Sequence, residues 1–230
     1  MKQQQNSPLR TNRSFVIREG RFTSAQKKAF EELWPKYGIP SEDNEKIIPE
    51  DWFAHDQPVI LDIGFGSGDS LISLAQQRPD YNFIGVEVYR PGIGAVLQKI
   101  AQLELENIRV INADVMQLFK TKFESDLFSG VMVWFPDPWP KTRHHKRRLV
   151  QGEFLQQLAR VMQPESILHL ASDWQPYVKF MVNQLAQVEN FRPADSSVNP
   201  LELVRPATRF EQRGLRIGHE VTDLIYQLHK

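Results

Sequence analysis

The sequence predicts an α/β protein built on a mostly parallel, doubly wound sheet that ends in an antiparallel C-terminal hairpin. From Pro58 onward, short apolar runs alternate with amphipathic segments, which is typical of a parallel sheet with helices on both faces. A chain of 230 residues is long enough to bury about 70% of its unfolded surface in one such domain. Beyond Pro200 the alternation stops, and two strand-like runs flank Gly218.

Each element has its own signal. A first helix is predicted near Thr23, because Thr23 and Gln26 fit a capping box, although Pro35 and Gly38 weaken its end. Parallel strands are predicted at the short apolar runs 59–63, 83–88, 109–112, 130–135 and 167–171. The helices between them share apolar residues spaced three or four apart, namely Leu71, Leu74 and Ala75; Ile93, Val96, Leu97, Ile100 and Ala101; Phe154, Leu155, Leu158 and Ala159; Tyr177, Val178, Met181, Val182 and Leu185. Residues 209–216 and 220–228 are expected to form the hairpin.

Composition bounds the organisation and the class of protein. We expect residues 1–22 to form a flexible basic arm and residues 23–230 a single domain with an N-terminal helical extension. The sequence has no run of about eighteen apolar residues and no signal-peptide core, which predicts a cytoplasmic protein without a membrane partner. The absence of cysteine excludes disulfides, thiol nucleophiles and thiolate metal sites.

Charge is balanced overall, with 28 basic and 28 acidic residues, but it is clustered. Residues 1–36 carry eight basic and three acidic residues, and residues 141–148 carry five basic residues and no acid. Such clusters attract phosphate through counterion release even when the whole chain is neutral. We therefore expect phosphate contacts from Lys141, Arg143, Lys146, Arg147 and Arg148. The alternative is two solvated basic stretches without a partner.

A glycine-rich turn follows the first predicted strand and reads Asp62-Ile-Gly64-Phe-Gly66-Ser-Gly68. Glycines allow the backbone to approach a ligand closely just before a helix N-terminus. Asp69 stands where a dinucleotide fingerprint needs a small residue, and its carboxylate would oppose a pyrophosphate. The turn therefore favours a ligand with an amino-acid portion and a ribose over NAD or FAD.

Two further acids end the next strands. Glu87 lies 25 residues after Asp62, where a carboxylate can accept hydrogen bonds from ribose hydroxyls. Asp114 follows the third strand and could accept from an adenine amino group. Open α/β sheets bind ligands at this rim, so the pattern indicates S-adenosylmethionine. Ordinary tight turns with solvated carboxylates are the alternative.

The fourth predicted strand runs into Phe135-Pro-Asp137-Pro-Trp139-Pro-Lys141. Its three prolines fix φ and bias the preceding residues towards extended geometry, so Asp137 and Trp139 are held in one orientation. Preorganisation of this kind predicts an active site with Asp137 as its acid. Trp139 would then stack on a base. The alternative is that the prolines only end a buried strand and that Trp139 fills a gap in the core.

From about Arg13 to its C-terminus, the sequence resembles the bacterial single-subunit tRNA (guanine-N7)-methyltransferases. The motifs that carry the resemblance are Arg13-Ser-Phe-Val-Ile-Arg-Glu-Gly-Arg21, residues 63–68, Gly85-Val-Glu-Val-Tyr-Arg-Pro-Gly92, residues 135–141, Ser172-Asp173-Trp174 and Thr208-Arg-Phe-Glu211. The resemblance implies a Rossmann-like class I methyltransferase fold. It also implies methyl transfer from S-adenosyl-L-methionine to N7 of a guanine in the tRNA variable loop (guanine 46).

The resemblance also implies roles for individual residues. Asp137 would be the active-site acid, and the cofactor would be bound by Asp62, Gly64, Gly66, Gly68, Glu87, Asp114 and Asp137. The tRNA would be contacted by Lys141, Asp173, Thr208, Arg209, Phe210 and Glu211. The family often has Glu at the position of Asp62, and the shorter acid reaches about one methylene less far. Neither a metal nor an obligate protein subunit is implied, although Asp173 could instead cap the following helix.

The chemistry of the target limits the role of Asp137. Guanine N7 has an in-plane lone pair and no hydrogen, so Asp137 is expected to orient the reactants rather than to act as a base. Accepting a proton from an exocyclic amine is the second possibility. His144 and His145 lack a third nearby ligand for a metal. Competing functions are another S-adenosylmethionine-dependent methyltransferase, a non-catalytic RNA-binding protein and a dinucleotide oxidoreductase, against which Asp69 counts.

Overall fold

The computed structural model describes residues 14–15, 22–43, 45–194, 206 and 220–230. Within these ranges the strands are β1 Val59–Ile63, β2 Asn82–Glu87, β3 Ile108–Asn112, β4 Phe128–Trp134, β5 Met162–Ser172, β6 Phe191–Pro193 and β7 Thr222–Leu228. The helices are α1 Ser24–Tyr37, α2 Asp69–Gln77, α3 Arg90–Gln102, α4 Val115–Thr121, α5 Gly152–Val161 and α6 Gln175–Leu185. Short 3-10 turns span Pro49–Asp51 and Thr142–Arg147.

The strands form one sheet in the order β3-β2-β1-β4-β5-β7-β6. Strands β1 to β5 pair in parallel, whereas β7 runs antiparallel to both β5 and β6. The strand order reverses between β1 and β4, which opens a crevice at their carboxyl ends, and ligands of open α/β sheets bind there. The predicted fold class is confirmed.

The C-terminal part of the sheet differs in detail from the prediction. The strand expected over 220–228 is β7, and the run 209–216 lies outside the described residues. In the described part, β7 is flanked on its outer side by β6, which was not predicted because three residues that include Pro193 show no periodicity. Helix α4 was also missed, since its seven residues are too few for a helical pattern.

The core has two layers, one on each face of the sheet. One face packs against α1, α2 and α3, and the other packs against α4, α5 and α6. Successive residues of β1 show the alternation, because Ile60 belongs to the first layer and Leu61 to the second. Among the described helices, none is long and apolar enough to cross a bilayer.

Helix α1 begins at the predicted capping box. The Gln26 N–H donates to the Thr23 hydroxyl oxygen at 3.2 Å, and the Thr23 N–H donates to the Gln26 side chain at 3.0 Å. The helix continues through Pro35 to Tyr37. Its first turn lies against α3 at Gly94, where an added Cβ would be 2.6 Å from the Gln26 carbonyl oxygen. Glycine at position 94 is therefore what lets the two helices meet backbone to backbone.

Candidate active site

A cavity of about 270 Å³ opens at the carboxyl ends of β1 to β4. Its walls bring together six of the seven residues predicted to bind the cofactor, namely Asp62, Gly64, Gly66, Glu87, Asp114 and Asp137, whereas Gly68 does not line it. Parallel strands deliver these residues to one edge of the sheet, although their positions in the chain are far apart. The predicted candidate site is therefore one continuous space.

The glycine turn needs glycine for its backbone conformation. Gly64, Gly66 and Gly68 have φ values of 80°, 59° and 68°, in the left-handed region that other residues rarely adopt. Helix α3 lies directly against this turn, because a Cβ at Gly92 would be 2.3 Å from the Gly66 carbonyl oxygen. The start of α3 therefore packs directly against the glycine turn.

Asp69, at the start of α2, is not an isolated negative charge. Its carboxylate pairs with Lys99 of α3 and accepts a hydrogen bond from the Ser67 hydroxyl at 2.8 Å. Because Lys99 balances its charge, Asp69 opposes a pyrophosphate less than the sequence pattern alone indicates. The case against a dinucleotide is weaker on this point.

Asp62 ends up inside the protein at the cavity wall. Its side chain is 3% exposed, and none of the described residues donates a hydrogen bond to its carboxyl group. Burial, and then the negative charge of Glu87, raise the pKa of Asp62 to about 8. A carboxyl group in this state favours a cationic ligand, because a positive charge beside it would stabilise the ionised form.

Glu87 is held by backbone N–H groups of the glycine turn and of the two residues that follow it in the chain. Its carboxylate accepts N–H hydrogen bonds from Gly66 at 2.9 Å, Val88 at 2.7 Å and Tyr89 at 3.0 Å. A carboxylate offers about four lone-pair positions, so one remains for a ligand. The hydrogen bonds fix the side chain between the glycine turn and the start of α3, with one acceptor position left for a hydroxyl.

Asp114 caps the helix that the sequence did not reveal. It is the N-cap residue of α4, and its Oδ1 atom accepts the Met116 N–H at 3.0 Å. This hydrogen bond orients the carboxylate at the cavity wall and leaves Oδ2 for a second donor. The predicted contact with an adenine amino group stays a prediction.

The proline-rich turn is strained on both sides of Asp137. Phe135 and Trp139 precede prolines but have φ values of 54° and 44°, so the extended geometry expected for them is wrong. A non-glycine residue in that region costs about 1–3 kcal/mol. Asp137 itself is exposed and lines the cavity. Strain of this kind persists only where the surroundings impose it, and it concentrates at functional sites.

Contacts around Trp139 show how the turn is imposed. The Trp139 indole N–H donates to the Ser14 carbonyl oxygen at 2.9 Å, and the Arg147 guanidinium carbon lies 4.2 Å from the centre of the indole ring. His144 meets the same ring edge-on at 5.7 Å. Because Arg147 covers part of the ring, Trp139 is neither a free platform nor a core residue, and stacking on a base stays a prediction.

The five basic residues of the run 141–148 differ in exposure, and Arg147, whose phosphate contact stays a prediction, is half-buried against Trp139. Lys141, Arg143 and Lys146 are exposed, as a phosphate-binding surface requires. Arg148, in contrast, is 3% exposed, and its Nε atom donates to the Pro138 carbonyl oxygen at 2.9 Å. The expectation that Arg148 contacts phosphate is wrong, because its guanidinium group is enclosed by the protein.

The remaining predicted residues lie apart from the cavity or outside the description. Neither Lys141, at the end of the turn, nor Asp173, between β5 and α6, lines the cavity. Asp173 is not the cap of α6, because the N-cap position is Trp174. Thr208, Arg209, Phe210 and Glu211 lie outside the described residues.

The sequence reasoning missed part of the cavity wall. Ser14 and Phe15 line it, as does Trp134, the last residue of β4. The Trp134 indole nitrogen is buried without a hydrogen-bond partner in the described part of the chain, and its ring meets His169 edge-on. The position of Trp134 directly before the proline turn was the sequence signal that could have predicted its place in the cavity wall. The described residues contain no cluster of His, Asp and Glu that could hold a metal ion.

The chain is similar to known proteins in both sequence and structure. A family model described as "Putative methyltransferase" matches residues 56–224. A tRNA (guanine-N(7)-)-methyltransferase from Nitrosospira multiformis is 42% identical over 224 residues, which is 97% of each chain. A protein of the same description from Hydrogenovibrio crunogenus is 39% identical over 218 residues, covering 94% of this chain and 90% of its own.

Solved structures share the architecture at lower sequence identity. The 16S rRNA methyltransferase KamB aligns with a TM-score of 0.54 at 19% identity and covers 94% of this chain and 99% of its own. A mutant of the 16S rRNA (adenine(1408)-N(1))-methyltransferase from Catenulisporales acidiphilia, solved with its cosubstrate SAM, aligns with a TM-score of 0.53 at 18% identity and covers 80% of this chain and 93% of its own. At such identities the likeness concerns the fold alone.

Proposed function

Because the chain belongs to the family of tRNA (guanine-N(7)-)-methyltransferases, we propose that it transfers the methyl group of S-adenosyl-L-methionine to N7 of guanine 46 in the tRNA variable loop. One observation carries the proposal. Asp137, on a strained turn, lines the same cavity as the glycine turn and the acids Asp62, Glu87 and Asp114. A methyl donor and an incoming base can therefore meet at the turn.

The residues of the cavity fit the methyl donor. The buried Asp62 carboxyl, which has no donor among the described residues, suits the ammonium group of a methionine portion. The lone pair left on Glu87 suits a ribose hydroxyl, and the second oxygen of Asp114 suits an adenine amino group. S-adenosylmethionine supplies an electrophilic methyl group on a sulfonium.

The turn then has to align the reactants. Guanine N7 needs no deprotonation, so the task of Asp137 is to hold hydrogen-bond donors of the guanine or of the methyl donor in line for displacement. Alignment of this kind contributes up to about 7–11 kcal/mol in favourable systems. The strain at Phe135 and Trp139 is consistent with a carboxylate that is oriented before the substrate arrives.

The surface beside the turn suits RNA. Lys141, Arg143 and Lys146 present three exposed positive charges on the segment that follows the turn, and the run 141–148 contains no acid. Contacts from Lys141, Asp173 and residues 208–211 to the tRNA are part of the proposal, as is action without an obligate protein subunit. Phosphate contacts would fix the orientation of the tRNA without reading its sequence.

The decisive experiment locates the transferred methyl group. Purified protein is incubated with methyl-labelled S-adenosylmethionine and an unmodified tRNA transcript, and the product is reduced and cleaved with aniline, which cuts at N7-methylguanine. We expect a single cut at guanine 46, and no label in a transcript with adenine at that position. Label without a cut would favour an exocyclic amine target, and salt-sensitive tRNA binding without label would favour a binding protein.

Asp137→Asn tests the role of the acid in the same assay. We expect the methylation rate to fall roughly 10²-fold, because a small misplacement of reactants can cost that much. The shape of the pH–rate profile should stay the same if Asp137 orients the reactants. Loss of an ionisation from the profile would instead identify Asp137 as a proton acceptor.

A further inference from the structure

We propose that Arg148 is a positioning residue, which holds Asp137 in its reactive orientation through the Pro138 carbonyl group and makes no contact with tRNA. This inference rests on the proposed function, in which Asp137 aligns the reactants. It separates Arg148 from Lys141, Arg143 and Lys146, which belong to the same basic run but are exposed.

Arg148 is enclosed by the protein. Its side chain is 3% exposed, and its guanidinium carbon lies 5.0 Å from the ring centre of Tyr177 and 4.7 Å from that of Phe180. A long basic side chain that serves phosphate keeps its charged head in water, since burial of a charge is costly. Arg148 instead places its head between the proline turn and helix α6.

The ring of Tyr177, which lies beside the Arg148 guanidinium, is held in place by its surroundings. Tyr177 is completely buried, and its hydroxyl oxygen accepts the Val150 N–H at 3.3 Å. Helix α6 thus fixes the ring, and the ring in turn limits where the guanidinium group can lie. A planar guanidinium stacks on aromatic faces while its edge still donates hydrogen bonds, which an ammonium group does less well.

Arg148 also restrains the backbone of the proline turn. Its Nε atom donates to the Pro138 carbonyl oxygen at 2.9 Å, which fixes the peptide between Pro138 and the strained Trp139. On the other side of Asp137, the pyrrolidine ring of Pro136 fixes the φ angle of Pro136 itself. Asp137 therefore lies between two restrained backbone points, and only one of them is maintained by a side chain that can be changed without altering the turn.

The charges of Arg148 and Asp137 both act on the hydroxyl group of Tyr177. Burial raises the pKa of Tyr177 to about 12, and the charge of Asp137 adds to that rise while the charge of Arg148 opposes it. Both charges are therefore close enough to act on one buried phenol. The direct link between Arg148 and the turn that carries Asp137 is the hydrogen bond to the Pro138 carbonyl oxygen.

Two variants of Arg148 and one control test the proposal. Arg148→Lys keeps the positive charge but loses the Nε donor and the stacked plane, and Arg148→Met also loses the charge. We expect kcat to fall at least roughly 10-fold, up to the 10²-fold cost of a misplaced group, with the KM for tRNA and for S-adenosylmethionine within about twofold. The control Arg143→Ala should raise the KM for tRNA and reduce its salt dependence while kcat is kept.

A double-mutant cycle distinguishes positioning from a general structural defect. If Arg148 acts through Asp137, then Asp137→Asn combined with Arg148→Lys should be no slower than Asp137→Asn alone. Additive losses would overturn the proposal, as would an Arg148→Lys enzyme with unchanged kcat and a raised KM for tRNA. All rates are normalised to the fraction of protein that binds S-adenosylmethionine, so unfolded protein does not count.

A readout that needs no activity separates this proposal from the proposed function. Amide hydrogen exchange of the peptide that contains Asp137, Trp139 and Lys141 should quicken in Arg148→Lys and stay unchanged in Arg143→Ala. If Arg148→Lys does not fold, Phe180→Leu removes one of the two stacked rings and should quicken the same exchange to a smaller degree. Unchanged exchange in the folded variants would overturn the positioning role even if methylation is confirmed.

Discussion

Asp62 and Glu87 stand on neighbouring parallel strands, and the charge of Glu87 adds to the effect of burial in raising the pKa of Asp62 to about 8. The cavity therefore contains one carboxylate held by three backbone N–H groups and one carboxyl group that resists ionisation. This asymmetry makes the protein sensitive to pH at the edge of the sheet that carries the candidate site.

Asp62→Asn should change how stability depends on pH. The folded protein retains the Asp62 proton between its ordinary pKa of 3.8 and about 8, whereas the unfolded chain has lost it. Stability of the wild type should therefore fall as pH rises through this window, by up to about 1.4 kcal/mol per pH unit, and level off above it. Urea unfolding from pH 5 to 9 should show a flatter profile for the variant. Parallel profiles would contradict the prediction.

Binding of the methyl donor should release a proton at pH 7. An ammonium group beside Asp62 stabilises its ionised form, so complex formation shifts the pKa downward and frees up to about one proton. Calorimetry in buffers of different ionisation enthalpy measures this number directly. Asp62→Asn should bind more weakly and release no proton at this site, and equal release by both proteins would assign the proton to another group.

Gly92→Ala should damage the cavity without touching a ligand. The added Cβ would be 2.3 Å from the Gly66 carbonyl oxygen, so either the glycine turn or the start of α3 must move. We expect the affinity for S-adenosylmethionine to fall at least about tenfold, because overpacking of a well-packed region costs about 1–3 kcal/mol. Gly152→Ala is the matched control, because its Cβ meets nothing within 4 Å. It should bind normally and be as stable as the wild type or up to about 1 kcal/mol more stable.

The exposed basic surface should govern the salt dependence of tRNA binding. Lys146→Ala should weaken binding for all tRNAs alike and reduce the slope of log affinity against log salt by about one. Lys120→Ala serves as the control, because Lys120 is exposed but has an acidic partner in Glu153. Filter binding at four salt concentrations gives the slopes. An unchanged slope for Lys146→Ala would remove this residue from the interface.

Trp139→Phe should loosen the cavity wall selectively. Phenylalanine keeps a ring against Arg147 but loses the N–H that donates to the Ser14 carbonyl oxygen. Because residues 14–15 line the cavity, we expect the KM for S-adenosylmethionine to rise about 2- to 10-fold, which corresponds to one ordinary hydrogen bond. Steady-state kinetics at saturating tRNA measures the change, and an unaltered KM would show that the hydrogen bond does not shape the cavity.

Strands β1 to β4 were predictable because each is a largely buried apolar run that is bounded by turn residues. Strand β1 has its predicted limits, Val59–Ile63, while β5 begins at Met162, five residues before the predicted start. Pro164 and Glu165 interrupt its apolar pattern, and both are exposed. Helix α4 and strand β6 were missed because they are short, and short elements rely on tertiary contacts rather than on periodicity.

The acids of the candidate site were predictable because the carboxyl ends of parallel strands meet at one edge. Arg148 was not predictable. In a run of basic residues, nothing in the local sequence shows which side chain turns inward. Its burial depends on Tyr177 and Phe180, which lie about thirty residues further along the chain and become its neighbours only when α6 packs. The charge of Lys99 beside Asp69 escaped sequence reasoning for the same reason.

The position of β7 in the sheet has a consequence for biosynthesis. Strand β7 pairs with β5 on one side and β6 on the other, yet it is translated after every other described strand. A ribosome can therefore deliver β1 to β5 and let them associate while β6 still lacks its neighbour. The nascent chain carries an open sheet edge at β5 until β7 emerges, and that edge is the place where a chaperone or a second nascent chain would compete with correct folding.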